Sequence, residues 1–174
     1  GSALPDAPFA RAFSACAVFW RRAESDGPAV PRVLCFVPAS PYECCCWSLA
    51  ALPGVHAITD VTGFGLAGHA LEMARGADVT VHIDWARVPL LPGVEPLAAQ
   101  GFVTGASGRN WAGYGAGVVL APGLPATAQS LVTDPQTSGG LLVACTSDTV
   151  QQVLDTFAQE GFAHAAVVGR VEAG

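Results

Sequence analysis

Lysine is absent from this chain of 174 residues, so all eight of its cations are arginine. The absence removes the usual point-charge ligand for phosphate and any side-chain amine nucleophile. Metal, arginine or backbone amides are left to handle an anion. Charged residues of either sign are sparse, 13% against the roughly 25% of a typical soluble domain, while 51% are hydrophobic, ample for a buried core. The net charge is −6 and there is no basic run, which argues against a nucleic-acid surface, because such a surface needs clustered cations. Uninterrupted apolar runs are missing too. The longest uncharged stretch, residues 110–133, holds Gly113, Gly115, Gly117, Pro122, Gly123 and Pro125, a poor text for a membrane helix. The opening residues lack the basic, apolar and small-residue order of a secretion signal. A cytoplasmic protein with neither nucleic acid nor membrane as partner is expected.

Paired metal-ligand spacings are also lacking. The six cysteines are Cys16, Cys35, the run Cys44-Cys45-Cys46, and Cys145, with no C-x-x-C pair. His56, His69, His82 and His164 show no ligand spacing to one another or to the thiols. Reduced thiols are expected rather than a zinc site or a disulfide scaffold.

What is present divides into two kinds of text. Residues 1–50 carry four arginines against four acids, five of the six cysteines and scattered prolines. A helix is expected over residues 9–20 (FARAFSACAVFW) and a short buried strand over 33–37. Residues 51–174 hold four arginines against ten acids, so the negative balance lies there. Strands are expected at 55–60, 79–83, 139–145 and 163–171. Helices are expected at 66–75 (stopped by Gly76), at 94–100 (closed by Gly101), and after a Ser147 cap, along Val150, Val153, Leu154 and Phe157. That alternation indicates a mixed α/β layer structure with no internal repeat.

Three segments carry possible chemistry. Residues 59–69 (TDVTGFGLAGH) place Asp60 at a strand end, then Thr62-Gly63-Phe64-Gly65, then a helix start with unpaired amides. Two readings stay open: a magnesium–phosphate site built on Asp60, or a carboxylate and glycines that merely cap and turn the chain. Residues 133–140 (TDPQTSGG) read as an anion nest or as an elaborate turn feeding a buried strand. Residues 104–114 (TGASGRNWAGY) read as a surface loop whose Arg109 and Asn110 contact a phosphate or a partner, or make one ion pair. His69 and His56 are expected to be packed, and His82 and His164 exposed.

Taken together, TDVTGFGLAGHALEMARG, VPLLPG, TGASGRN with Tyr114-Gly115 behind it, LVTDPQTSGGLLVAC and AVVGRV resemble the C-terminal domain of selenophosphate synthetase (selenide, water dikinase). The family belongs to the aminoimidazole-ribonucleotide-synthetase-like superfamily, whose C-terminal domain implies an α+β fold, a layered mixed β-sheet with helices. The resemblance covers residues 52–171 in five ordered blocks. It implies an enzyme that converts selenide, ATP and water to selenophosphate, AMP and phosphate, using Mg2+, as a homodimer. Asp60 then matches the family's metal ligand on this domain, with Thr59, Thr62 and Gly63 as its cofactor-binding shell.

The family's catalytic Cys and Lys lie in a glycine-rich segment ahead of this domain, and nothing around Cys44-Cys45-Cys46 matches that motif. No catalytic residue is therefore assigned in this chain, which is expected to be inactive alone. Residues 1–50 do not match the strand and long helix the family places there. They are expected to be a divergent or frame-shifted stretch ahead of a C-terminal domain at 51–174. Two alternatives remain: a non-catalytic interaction or dimerisation module (a truncated paralogue), and another ATP-using member of the superfamily.

Overall fold

The computed structural model describes residues 19–20, 32–38, 42–137 and 139–174. Its strands are β1 (Phe19–Trp20), β2 (Arg32–Val37), β3 (Val55–Asp60), β4 (Val79–Ile83), β5 (Leu141–Thr146) and β6 (Ala166–Ala173). The helices are α1 (Tyr42–Ala51), α2 (Gly65–Ala77), α3 (Val94–Ala99), α4 (Gly105–Tyr114), α5 (Ala128–Val132) and α6 (Val150–Gln159). The strands form one sheet in the order β1-β3-β5-β2-β6-β4.

The α+β class is as expected, but the described sheet is antiparallel at every pairing rather than mixed. Interleaving explains the difference. The units β3-α2-β4 and β5-α6-β6 each join strands of the same direction, as a strand–helix–strand text suggests. Strands running the other way lie between them, so no parallel neighbours meet. β2 is the clearest case, pairing with β5 on one side and β6 on the other.

Both faces of the sheet are covered, which is why its inner strands read as continuous apolar runs rather than alternating ones. On one face Cys35, Val37, Leu141, Val143 and Cys145 pack with Leu49 of α1 and with Val153 and Phe157 of α6. On the other, Leu34, Phe36, Ala57, Leu142 and Ala144 pack with Leu66, Ala70 and Met73 of α2. Successive residues of β2 and β5 thus supply opposite cores, the period-two rule of a strand. Full burial of a side chain such as Phe157 contributes roughly 1.5–3 kcal/mol.

Several local expectations need correction. Gly76 lies inside α2, and the stop is Asp78, whose φ of 53° is left-handed and whose N–H bonds Ala74 O. Aspartate tolerates that conformation better than most side chains. The residue preceding α6 is Thr149, not Ser147, within a turn where Thr146 donates to Asp148 and its Oγ1 lies 2.9 Å from that of Thr149. Of the helix expected at 9–20, residues 9–18 lie outside the described ones, and Phe19–Trp20 pair with Ile58 and Ala57 of β3 instead. α1 and α5 were not anticipated. Among the described residues no helix is long and apolar enough to cross a membrane.

Candidate functional site

The three segments read as possible chemistry converge at one end of the sheet. β3 ends at Asp60, and the chain turns through Thr62-Gly63-Phe64 into α2. Backbone bonds stitch this turn to the 133–140 segment: Val61 N–H donates to Gly140 O at 2.8 Å, and Gln136 N–H to Thr62 O at 3.0 Å. Gly65 also packs tightly against that segment. Its φ is +69°, and a Cβ there would stand 2.7 Å from Thr133 C and Val132 O. Only glycine combines that conformation with that contact.

Residues 105–114, expected as a loop, form α4. Thr104 caps it by accepting from Ser107 N–H at 3.3 Å, and also donates to Asp134 Oδ1 at 3.0 Å. Ser107 Oγ lies within donating distance of Ser130 O (3.2 Å) and Asp134 Oδ1 (3.3 Å). Asp134 therefore anchors the start of α4, an architectural role. Asn110 Nδ2 donates to Gly63 O and Thr133 O, both at 2.9 Å. One turn later Tyr114 Oη donates to Phe64 O at 2.5 Å. Burial pushes the Tyr114 phenol up, which keeps its proton available for that bond. Arg109 is exposed and makes no ion pair among the described residues.

The expected site residues fall into distinct environments. Asp60 is half-buried, and its carboxylate accepts no hydrogen bond from the described residues. Thr59 is buried, its Oγ1 turned to Asp60 O at 3.1 Å, so it supports the strand end from behind. Thr62 is half-buried and tied to His69, whose Nε2 accepts from Thr62 N–H at 3.0 Å and lies 3.3 Å from Thr62 Oγ1. Gly63 is exposed, with open space where a Cβ would stand.

His69 is packed, as expected. Burial holds its pKa below the ordinary value, against the opposing pull of Glu72 and Asp60. The imidazole is neutral, with the Nδ1 proton facing Glu72 Oε2 at 3.5 Å and the Nε2 lone pair facing Thr62. His56 is buried, while His82 pairs with Glu172 at 3.1 Å on the surface and His164 is exposed. Cys35 and Cys145 are reduced and buried across β2 and β5. The hydrogen bond it donates to Cys145, together with burial, raises the Cys35 thiol.

Magnesium takes oxygen donors, often one or two carboxylates plus water and phosphate. Among the described residues no three His, Cys, Asp or Glu side chains converge. Among the described residues Asp60 is thus a single carboxylate and no complete cage for the ion is formed. Sequence reasoning missed Thr104, Ser107 and Tyr114. The signal for them was a threonine three residues before a serine, and Asn110 and Tyr114 spaced i, i+4 on one helix face.

Comparison with known proteins agrees with this architecture. The chain is 65% identical over 126 residues to selenide, water dikinase of Pseudomonas straminea, which covers 72% of this chain and 35% of that protein. It is 63% identical over 123 residues to the Burkholderia ambifaria enzyme of the same name, 71% of this chain and 35% of that one. The chain thus spans about a third of the length of these relatives. The fold is shared with E. coli HypE, a hydrogenase maturation protein, at a TM-score of 0.60 and 16% identity, over 83% of this chain and 45% of that one. The family described as AIR synthase related protein, C-terminal domain, matches residues 11–174, and the chain belongs to it.

Proposed function

We propose that this chain serves as the C-terminal domain of an ATP-dependent selenophosphate synthetase, converting selenide, ATP and water to selenophosphate, AMP and phosphate. Asp60 supplies one Mg2+ ligand at the ATP phosphates, and Thr59, Thr62 and Gly63 shape the loop beside it. The observation that carries this reading is a half-buried carboxylate without a protein partner among the described residues. It sits at a strand end beside a glycine turn tied down on three sides. The identity to selenide, water dikinases supports the choice of reaction. When bound, the metal neutralises phosphate charge and orients its oxygens. The chain's own part is to hold the Asp60 oxygens in place and to keep the adjoining peptide groups rigid. The remaining ligands, the nucleophile and most of the nucleotide pocket are assigned to the rest of a homodimeric cytoplasmic enzyme.

In the complete protein, Asp60→Asn should abolish selenide-dependent AMP formation while leaving thermal stability near that of wild type. Undiminished turnover would refute the assignment. The chain alone should form no selenophosphate, and detectable product would contradict that part of the reading.

A second reading, a non-catalytic interaction module, is favoured by a groove in which Val94, Phe102, Val103 and Leu131 stand beside the polar Thr104, Ser130 and Asp134, with Leu91 and Leu97 exposed on the same stretch of chain. Co-purification with a full-length selenophosphate synthetase that survives Asp60→Ala, without any Asp60-dependent binding of Mg2+-ATP, would favour it. A third, another ATP-using member of the superfamily, is separable by whether selenide or an aminoimidazole precursor stimulates ATP turnover in the complete protein.

A further inference from the structure

Glycine-rich turns are conformationally loose, and a metal ligand at the mouth of one is useful only if the turn is held. The 62–65 turn is held unevenly. Thr62 is fixed by His69 Nε2 of α2 and by Gln136 N–H of the 133–140 segment. The carbonyl of Gly63 accepts from Asn110 Nδ2 and that of Phe64 from Tyr114 Oη, both on α4. Asn110 is the pivot. An amide NH2 has two protons, and here one goes to Gly63 O and the other to Thr133 O. A single side chain thus ties the turn beside Asp60 to the neighbouring segment where Gly65 packs against Val132 and Thr133. The helix presenting Asn110 is itself registered against that segment through Thr104, Ser107 and Asp134. Because the peptide unit is planar and trans, a carbonyl drawn toward α4 turns the N–H of the same unit away from it. The Asn110 bond therefore sets the facing of the Gly63–Phe64 peptide.

We propose that Asn110 is a positioning residue: its two donated bonds lock the Thr62–Gly65 backbone against the Thr133 carbonyl and so fix the approach to Asp60. The metal consequence rests on the reading of Asp60 given above. The local consequence does not.

The test uses the complete protein in four forms: wild type, Asn110→Asp (same shape, no donors), Asn110→Ala (no added charge) and Asp60→Asn. Binding of Mn2+ with ATP is read by water-proton relaxation, and amide hydrogen exchange is read along the chain. Both Asn110 variants should speed exchange at residues 62–65 at least tenfold, with β5 and α6 unchanged, and should weaken Mn2+-ATP binding roughly tenfold. Unchanged exchange at 62–65 overturns the proposal. So does a rise spread through β5 and α6, which marks a merely structural residue. Equal affinity in the Asn110 variants and wild type, where Asp60→Asn abolishes binding, overturns it as well. If wild type shows no Asp60-dependent binding, the metal reading falls, and the exchange pattern alone decides the role of Asn110.

Discussion

At the scale of single residues, the same amino acid has opposite weight two positions apart. Gly65 has a left-handed backbone and backbone atoms where a side chain would go, whereas Gly63 has open space. Gly65→Ala should cost at least about 1–3 kcal/mol from backbone strain alone. Gly63→Ala should stay within about 0.5 kcal/mol of wild type. Urea denaturation of the pair checks both figures. His69 offers a pH signature. Burial depresses its folded-state pKa below the ordinary 6.5, so between those two values the unfolded chain binds more protons. Stability is therefore full above about 6.5, where both states are neutral, and falls as pH drops through that window. Melting curves taken in EDTA should show this slope, and His69→Gln should flatten it. The packing of His69 was legible from its place beside the α2 stripe. Its bond to Thr62 was not, because the partner lies seven residues back across a turn.

At the scale of elements, α4 shows where periodicity stops being informative. Residues 104–114 hold three glycines and no broad apolar stripe, so helix propensity is low and a loop is the natural reading. The helix exists because its ends and one face are hydrogen-bonded: Thr104 caps it, Asp134 anchors it, and Asn110 and Tyr114 grip the neighbouring turns. Thr104→Ala should lower stability by roughly 1 kcal/mol, and Thr104→Ser should recover most of it. Chemical denaturation with both variants measures this, and an unaffected alanine variant would remove the cap from the account. By contrast α2 and α6 were readable at once, since Leu66, Ala70 and Met73, and Val153 and Phe157, mark buried stripes at helical spacing. Boundaries were harder. Gly76 looks like a helix stop, but the chain turns two residues later at Asp78, where Ala74 O finds its donor.

At the scale of the whole molecule, a strand from the stretch outside the family resemblance has a central place. β2 arises from residues 32–37, in the stretch set apart by composition, yet it pairs along its length with β5 and also with β6, and supplies Leu34, Cys35, Phe36 and Val37 to both cores. Deleting residues 1–50 would leave two unpaired edges in the middle of the sheet and open both cores. The shortened chain should lose cooperative unfolding, as followed by circular dichroism and calorimetry. A sharp, wild-type-like transition would show instead that residues 51–174 stand alone as a domain.

The five ordered blocks and the residue types within them determined the family resemblance, the α+β class, most strands and the candidacy of Asp60. Those features are encoded locally, in period, in glycine placement and in short-range motifs. Tertiary structure alone decided that the sheet is antiparallel, because neighbours in it are distant in sequence. It also decided that the 59–69, 104–114 and 133–140 segments meet at one end of the sheet. Their union depends on hydrogen bonds from Asn110 and Tyr114 to carbonyls 47 and 50 residues away. A backbone carbonyl carries no mark in the amino-acid text, so only the folded chain reveals which side chain meets it.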